Sequence, residues 1–191
     1  VNGDVAPSTL PTISTTALLS SPVGAYPITA TGASDANYTI SYVNGTLSVT
    51  SATLTVTADN KTKVYGAVNP ALTVTYTGLV NGDVAPSTLP TISTTALLSS
   101  PVGNYPITAT GASDANYTIS YVAGTLSVTS ATLTITAVNK TKVYGSANPT
   151  LTYSYAGLVN GDVAPSTLPI PNTAAVTGSP FGSYTITLRS A

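Results

Sequence analysis

The side chains able to do chemistry are few and of few kinds. The charged residues are six aspartates (Asp4, Asp35, Asp59, Asp83, Asp114, Asp162), four lysines (Lys61, Lys63, Lys140, Lys142) and Arg189, a net charge of −1. Glutamate, histidine and cysteine are absent. Neither a Ser-His-Asp nor a Cys-His nucleophile can therefore be assembled, and neither a disulfide nor a thiolate metal site is available. Glycoside hydrolysis needs two carboxyl groups flanking one bond, whereas Asp59, Asp83 and Asp114 stand singly in turn sequences. No catalytic, cofactor-binding or metal-binding residue is assigned, no cofactor is implied, and the chain is expected not to be an enzyme.

Weaker patterns each have a plainer reading. Asp114-Ala115-Asn116 and Asp35-Ala36-Asn37 offer oxygen ligands to calcium, but six to eight are needed, and an Asx-turn ahead of a strand accounts for both. Lys61, Lys63, Lys140 and Lys142 could enter an isopeptide bond with asparagine if a buried lysine met an asparagine and an acid. The plainer expectation is solvated lysines guarding an edge strand. Thr53/Thr55/Thr57 and Thr132/Thr134/Thr136 are similar to flat ice-binding runs, yet occur once per repeat, as a wet strand face would. Tyr65 and Tyr144, if exposed, could stack on a sugar. Tyr105, Tyr117 and Tyr121 alternate with strand residues and are expected in the core with the hydroxyl at its rim. The Asn-x-Thr triplets at Asn37, Asn60, Asn116 and Asn139 accept glycans only in a host that modifies them.

What must position these residues is a repeat. Val1-Asn2-Gly3-Asp4-Val5-Ala6-Pro7 returns at Val80 and again at Val159, a period of 79. Windows 1–79 and 80–158 differ at ten positions, among them Ala25/Asn104, Asn44/Ala123, Val56/Ile135, Asp59/Val138 and Val74/Tyr153. One repeat is one structural unit. Boundaries are expected at Ser51/Ala52 and Ser130/Ala131, giving the back part of a copy (1–51), a complete copy (52–130) and the front part of a third (131–191). The two partial copies are roughly complementary. A window cut from a longer array explains that most plainly; the sharper alternative is a homopolymeric fibre in which one chain's end completes the next chain's start.

Within the complete copy the hydrophobic period is two. Leu54 and Val56 alternate with Thr53, Thr55 and Thr57, and Leu72, Val74 and Tyr76 with Thr73, Thr75 and Thr77. Tyr105/Ile107/Ala109, Tyr117/Ile119/Tyr121 and Leu126/Val128 follow the same rule. This is the pattern of half-buried antiparallel strands. Gly66 with Asn69-Pro70, Asn81-Gly82-Asp83, residues 100–103 and residues 111–114 punctuate them as turns. The expected fold is all-β: small antiparallel Ig-like sandwiches in tandem, or a β-grasp-like sheet with one short helix over residues 83–89, N-capped by Asp83.

Sparse, balanced charge argues against a nucleic-acid partner, and no apolar run nears the roughly 20 residues of a membrane span. Abundant Thr, Ser, Val, Ala and Gly fits a secreted bacterial protein better than a cytosolic enzyme. Lys63-Val64-Tyr65-Gly66, Asn69-Pro70, Leu72-Thr73 and Gly78-Leu79-Val80-Asn81-Gly82-Asp83 resemble the MBG domain of the YGX type. So do Val102-Gly103-Asn104-Tyr105, Asn116-Tyr117-Thr118-Ile119 and Gly124-Thr125-Leu126-Ser127-Val128. The third copy departs from the pattern after Pro169, with Ile170-Pro171-Asn172 and Thr185-Ile186-Thr187-Leu188-Arg189. The resemblance implies a tandem module of large bacterial surface or secreted proteins, often adhesin-like, with no catalytic residues to carry over. The expected role is an extracellular spacer in a stalk or fibre, its partners the neighbouring repeats. Binding of a surface glycan or receptor is the alternative.

Overall fold

The structure, a computed structural model, describes residue 3 and residues 5–190. Fourteen strands occur among them and no helix. In the first copy β1 (Thr12–Thr15), β2 (Gly24–Thr31) and β3 (Gly45–Val49) form one antiparallel sheet in chain order. The middle copy holds β4 (Ala52–Ala58), β5 (Lys61–Val64), β6 (Val74–Thr77), β7 (Thr91–Thr94), β8 (Gly103–Thr110), β9 (Tyr117–Val122) and β10 (Gly124–Thr129). The third holds β11 (Thr134–Ala137) paired with β12 (Tyr153–Ala156), and β13 (Ile170–Thr173) paired with β14 (Ile186–Arg189).

The middle copy has two sheets, ordered β6-β4-β9 and β5-β10-β8-β7. Alternation sets what each buries: Leu54, Val56 and Ala58 from β4, Ile107 and Ala109 from β8, Leu126 and Val128 from β10. Leu54, Val56 and Tyr117 of the first sheet cluster with Ala109 of the second, and Val74, Tyr76, Leu79 and Ile119 pack against them. Each such side chain contributes roughly 1.5–3 kcal/mol when fully buried. Two sheets sharing one core make an all-β sandwich. The helix-bearing alternative is excluded.

The strands are not all antiparallel, as the alternation had suggested. β4 runs parallel to β9 and β5 parallel to β10. Ala52 lies opposite Tyr117 and Lys61 opposite Leu126, so both pairs share an offset of 65 residues. Between them, Asn60 Oδ1 accepts from Thr125 N at 2.8 Å, at the same offset. Two segments, 52–64 and 117–129, therefore run side by side and pass together from one sheet into the other. Gly124 permits the passage. A Cβ there would run into the carbonyl oxygen of Ala58 and come within 3.1 Å of the Asp59 carbonyl carbon.

Residues 83–89 form no helical turn. Asn81 and Gly82 both take positive φ, 57° and 83°, and Asp83 N bonds Val80 O at 3.0 Å, which closes a tight turn. Asp83 is then no N-cap: its carboxylate accepts the Tyr117 hydroxyl at 2.7 Å. In the third copy, Ile170 pairs with Arg189 just as Thr91 pairs with Thr110. The substituted residues keep the register because backbone groups, not side chains, make the ladder.

By packing, the chain divides into two compact units. One is Val1–Asp59, Leu72–Thr94 and Pro106–Gly124; the other is Asn60–Ala71, Thr95–Tyr105 and Thr125–Ala191.

Candidate functional site

The most concentrated polar centre lies in the second unit and is built by the Lys-Val-Tyr-Gly motif. The alternation of β5 turns Lys63 inward, where it is only 5 % exposed. Its ammonium donates to the carbonyls of Ala67, at 3.1 Å, and Leu97. Ala67 is in reach because Gly66, at φ 81°, closes a turn in which Ala67 N bonds Val64 O at 3.0 Å. Asn69 Nδ2 takes the neighbouring carbonyl, Ala96 O, at 2.6 Å, and Ser100 Oγ accepts from Leu97 N at 2.8 Å. The motif thus clamps the loop after β7. Lys142, Asn148 and Ser179 repeat the arrangement on Val176 and Ala175.

Lys63 is therefore not the solvated lysine expected, although β5 is an edge strand. An isopeptide bond would also need an acid beside it. Asp59 bonds Thr73 and Thr75, Asp83 bonds Tyr117, and Asp114 bonds Ser87 and Asn116. A buried ammonium without an anion is held by carbonyl dipoles, and each carbonyl is costly to leave unpaired. Lys63→Ala should therefore destabilise the chain by about 2–3 kcal/mol. Lys142→Ala, at a more exposed position, should cost about 1 kcal/mol or less. Urea unfolding followed by circular dichroism measures both, and equal losses would contradict the clamp.

The Asp-Ala-Asn triplets are turn anchors. Asp114 Oδ1 accepts from Asn116 N at 2.8 Å, and Oδ2 from Ser87 N at 3.0 Å and the Ser87 hydroxyl. Asp35 does the same with Asn37 and Ser8. The serine hydroxyl first, then the amides, holds each carboxyl below its ordinary value of 3.8. A carboxyl lowered on folding stabilises the fold above its unfolded pKa and loses that contribution as pH falls through the folded value. Denaturation midpoints should thus stay level from neutral to about pH 5 and fall below about pH 4. Asp114→Ala should shrink the fall; an unchanged profile would count against these anchors.

The threonine runs fall where β6, β4 and β9 meet. Thr55 lies opposite both Thr77 and Ser120, Thr57 opposite Thr75, and Thr53 opposite Thr118. Neighbouring strands thus add hydroxyls that a one-strand reading missed, and Thr55 and Ser120 bond at 3.3 Å. Tyr117 is core, its hydroxyl pushed up in pKa chiefly by the bond to Asp83. Tyr105 is half-buried, with its hydroxyl on Pro101 O at 2.9 Å. Tyr121, expected in the core, is 40 % exposed and bonds Ala112 N and O. Tyr65 is half-buried, but its counterpart Tyr144 is 73 % exposed. Asn37 and Asn139 are exposed. Of the other two triplet asparagines, Asn60 serves the parallel pair and Asn116 Oδ1 accepts from Val23 N at 3.0 Å.

Sequence reasoning also missed Gly66 as a contact. A Cβ there would lie 2.6 Å from Val159, whereas at Gly145 nothing lies within 4 Å. Val23 to Asn116 spans 93 residues, as does Gly66 to Val159, so each joins a loop of one copy to a loop of the next. A side chain is small or polar for reasons set one period away, which no local pattern carries.

No curated protein and no solved structure matches the chain. The family model of the MBG domain (YGX type) matches residues 1–48, 54–127 and 133–191. With nearly the whole sequence matched in three successive stretches, the chain is a tandem array and belongs to the MBG domain family of the YGX type.

Proposed function

We propose that this array is a non-catalytic spacer in an extracellular stalk or fibre of a bacterium, of the adhesin-like kind. The observation that supports it is the joint between copies. The Val23–Asn116 hydrogen bond and the seat of Val159 on Gly66 use residues that the repeat supplies again and again. A joint made from repeated residues turns copy number into length. The most concentrated polar centre, the Lys63–Asn69 clamp, is spent on holding a loop. Sparse charge and a sequence rich in threonine and serine suit a protein outside the cell.

The test is electron microscopy of arrays of increasing copy number. The contour should lengthen by a constant step of about 30–40 Å per copy, the span of a strand-length domain, and Asn116→Ala with Gly66→Ala should broaden the angle at each joint. Arrays that collapse without a regular step, or a full chain that binds one glycan reproducibly and competably on an array, would overturn the spacer reading.

A further inference from the structure

The second unit contains the sequence Lys-Thr-Lys-Val-Tyr-Gly twice, at 61–66 and 140–145, in two different settings. At the first, β10 lies between β5 and β8. Leu126, Ser127, Val128 and Thr129 pair in parallel with Lys61, Thr62, Lys63 and Val64. Asn60 Oδ1 accepts from Thr125 N, Tyr65 N donates to Thr129 O at 2.8 Å, and Ser127 Oγ donates to Asn104 Oδ1 at 2.9 Å. Leu126 is fully buried and Val128 nearly so.

At the second, residues 140–143 form no strand, and a groove of about 670 Å³ opens beside them. Asn139, Lys140, Lys142, Tyr144, Tyr184 and Ile186 line it. They stand 79 residues after Asn60, Lys61, Lys63, Tyr65, Tyr105 and Ile107, which flank β5 and β8. Ile186 is half-buried where Ile107 is fully buried. β14 starts at Ile186, while β8 starts at Gly103, the counterpart of Gly182. The walls are nonetheless fixed, since Lys142 and Asn148 clamp Val176 and Ala175 as Lys63 and Asn69 clamp Leu97 and Ala96.

We propose that this groove is a strand acceptor. It takes a separate extended peptide of the pattern Gly-Thr-Leu-Ser-Val-Thr, lying parallel to residues 140–143 with its Leu and Val inward. The pattern follows from β10, which fills the matching place one period earlier. Recognition is by main-chain bonds to a sheet edge, with pockets for alternate side chains. The occupant needs both edges free, because β10 has a neighbour on each side. Gly45–Val49 of a second copy carries the same residues but already has β2 on one edge, so it is the poorer candidate.

The probe is a fluorescein-labelled synthetic Ala-Gly-Thr-Leu-Ser-Val-Thr-Ser peptide titrated with the full chain and read by anisotropy. One saturable site per chain is expected. Replacing the peptide's Leu with Asp should weaken binding at least tenfold, and a scrambled peptide should not bind. Asn139→Ala should weaken binding several-fold with unchanged circular dichroism, while Asn60→Ala should leave it intact. Absent saturation, or equal binding of the Asp-substituted or scrambled peptide, overturns the site. Loss on Asn60→Ala with none on Asn139→Ala also overturns it, by placing the peptide in the middle copy. Light scattering that shows self-association dissolved by the peptide overturns the choice of occupant in favour of a second copy.

Discussion

Gly124→Ala should unfold the middle sandwich, whereas Gly45→Ala, the same change one period earlier, should be nearly silent. The added methyl at Gly124 meets main chain, the carbonyls of Ala58 and Asp59, at the point where the two parallel segments change sheets. Main chain held in a ladder on both sides cannot step back as a side chain can. At Gly45 the same methyl would sit 3.6 Å from Ile28 Cβ, an ordinary contact. Overpacking against backbone costs about 3 kcal/mol or more, against about 0.5 kcal/mol for a surface change. Thermal and urea unfolding of the two variants beside the parent would show this. Similar midpoints for both would mean that segments 52–64 and 117–129 do not cross together.

Leu126→Ala should be the second most damaging change, and it has its own internal control. Leu126 and Leu47 occupy the same place in the same Gly-Thr-Leu-Ser-Val sequence, yet Leu126 is 0 % exposed and Leu47 40 %. The difference lies in the neighbours. β10 has β5 on one edge and β8 on the other, while β3 has β2 alone. Truncating a fully buried leucine costs about 2–5 kcal/mol, with the spread set by how far the cavity collapses. Truncating the half-exposed one should cost about 1 kcal/mol or less, because most of its transfer free energy was never gained. Calorimetry on both variants checks the pair. A loss at Leu47 matching that at Leu126 would mean β3 is covered in solution by something that takes the place of β5.

Much of the fold was legible because alternation is a local property. Thr53 to Ala58, Tyr105 to Ala109 and Leu126 to Val128 show their faces in the sequence, and they are strands with those faces. The direction of pairing was not legible: a strand buried on one face alternates in the same way whether its neighbour is parallel or antiparallel. Residues 52–64 and 117–129 share no residue pattern that would reveal an offset of 65. The short helix was a misreading of one dipeptide. Asp83 beside Pro86 suggests an N-cap until Asn81 and Gly82 both turn left-handed and the carboxylate goes to Tyr117. Lys63 was misjudged because a lysine is usually solvated, and only the loop folded over it supplies the carbonyls that change the balance. The clamp was half visible in the motif, but its targets, Ala96 and Leu97, carry only backbone groups and leave no mark in a sequence. The joint residues Asn116 and Gly66 read as turn residues, and their partners lie 93 residues away.

Central to this account is that parallel pairing of segment 52–64 with segment 117–129 decides whether a copy closes its sandwich. Amide hydrogen exchange on the intact chain tests it most directly, because residues 61–64 and 140–143 share one sequence and differ in their neighbours. The account predicts slow exchange in 61–64, where β5 is paired with β10, and fast exchange in 140–143. Equal protection of the two would contradict it, since the shared Lys-Thr-Lys-Val sequence would then form its strand without a parallel partner.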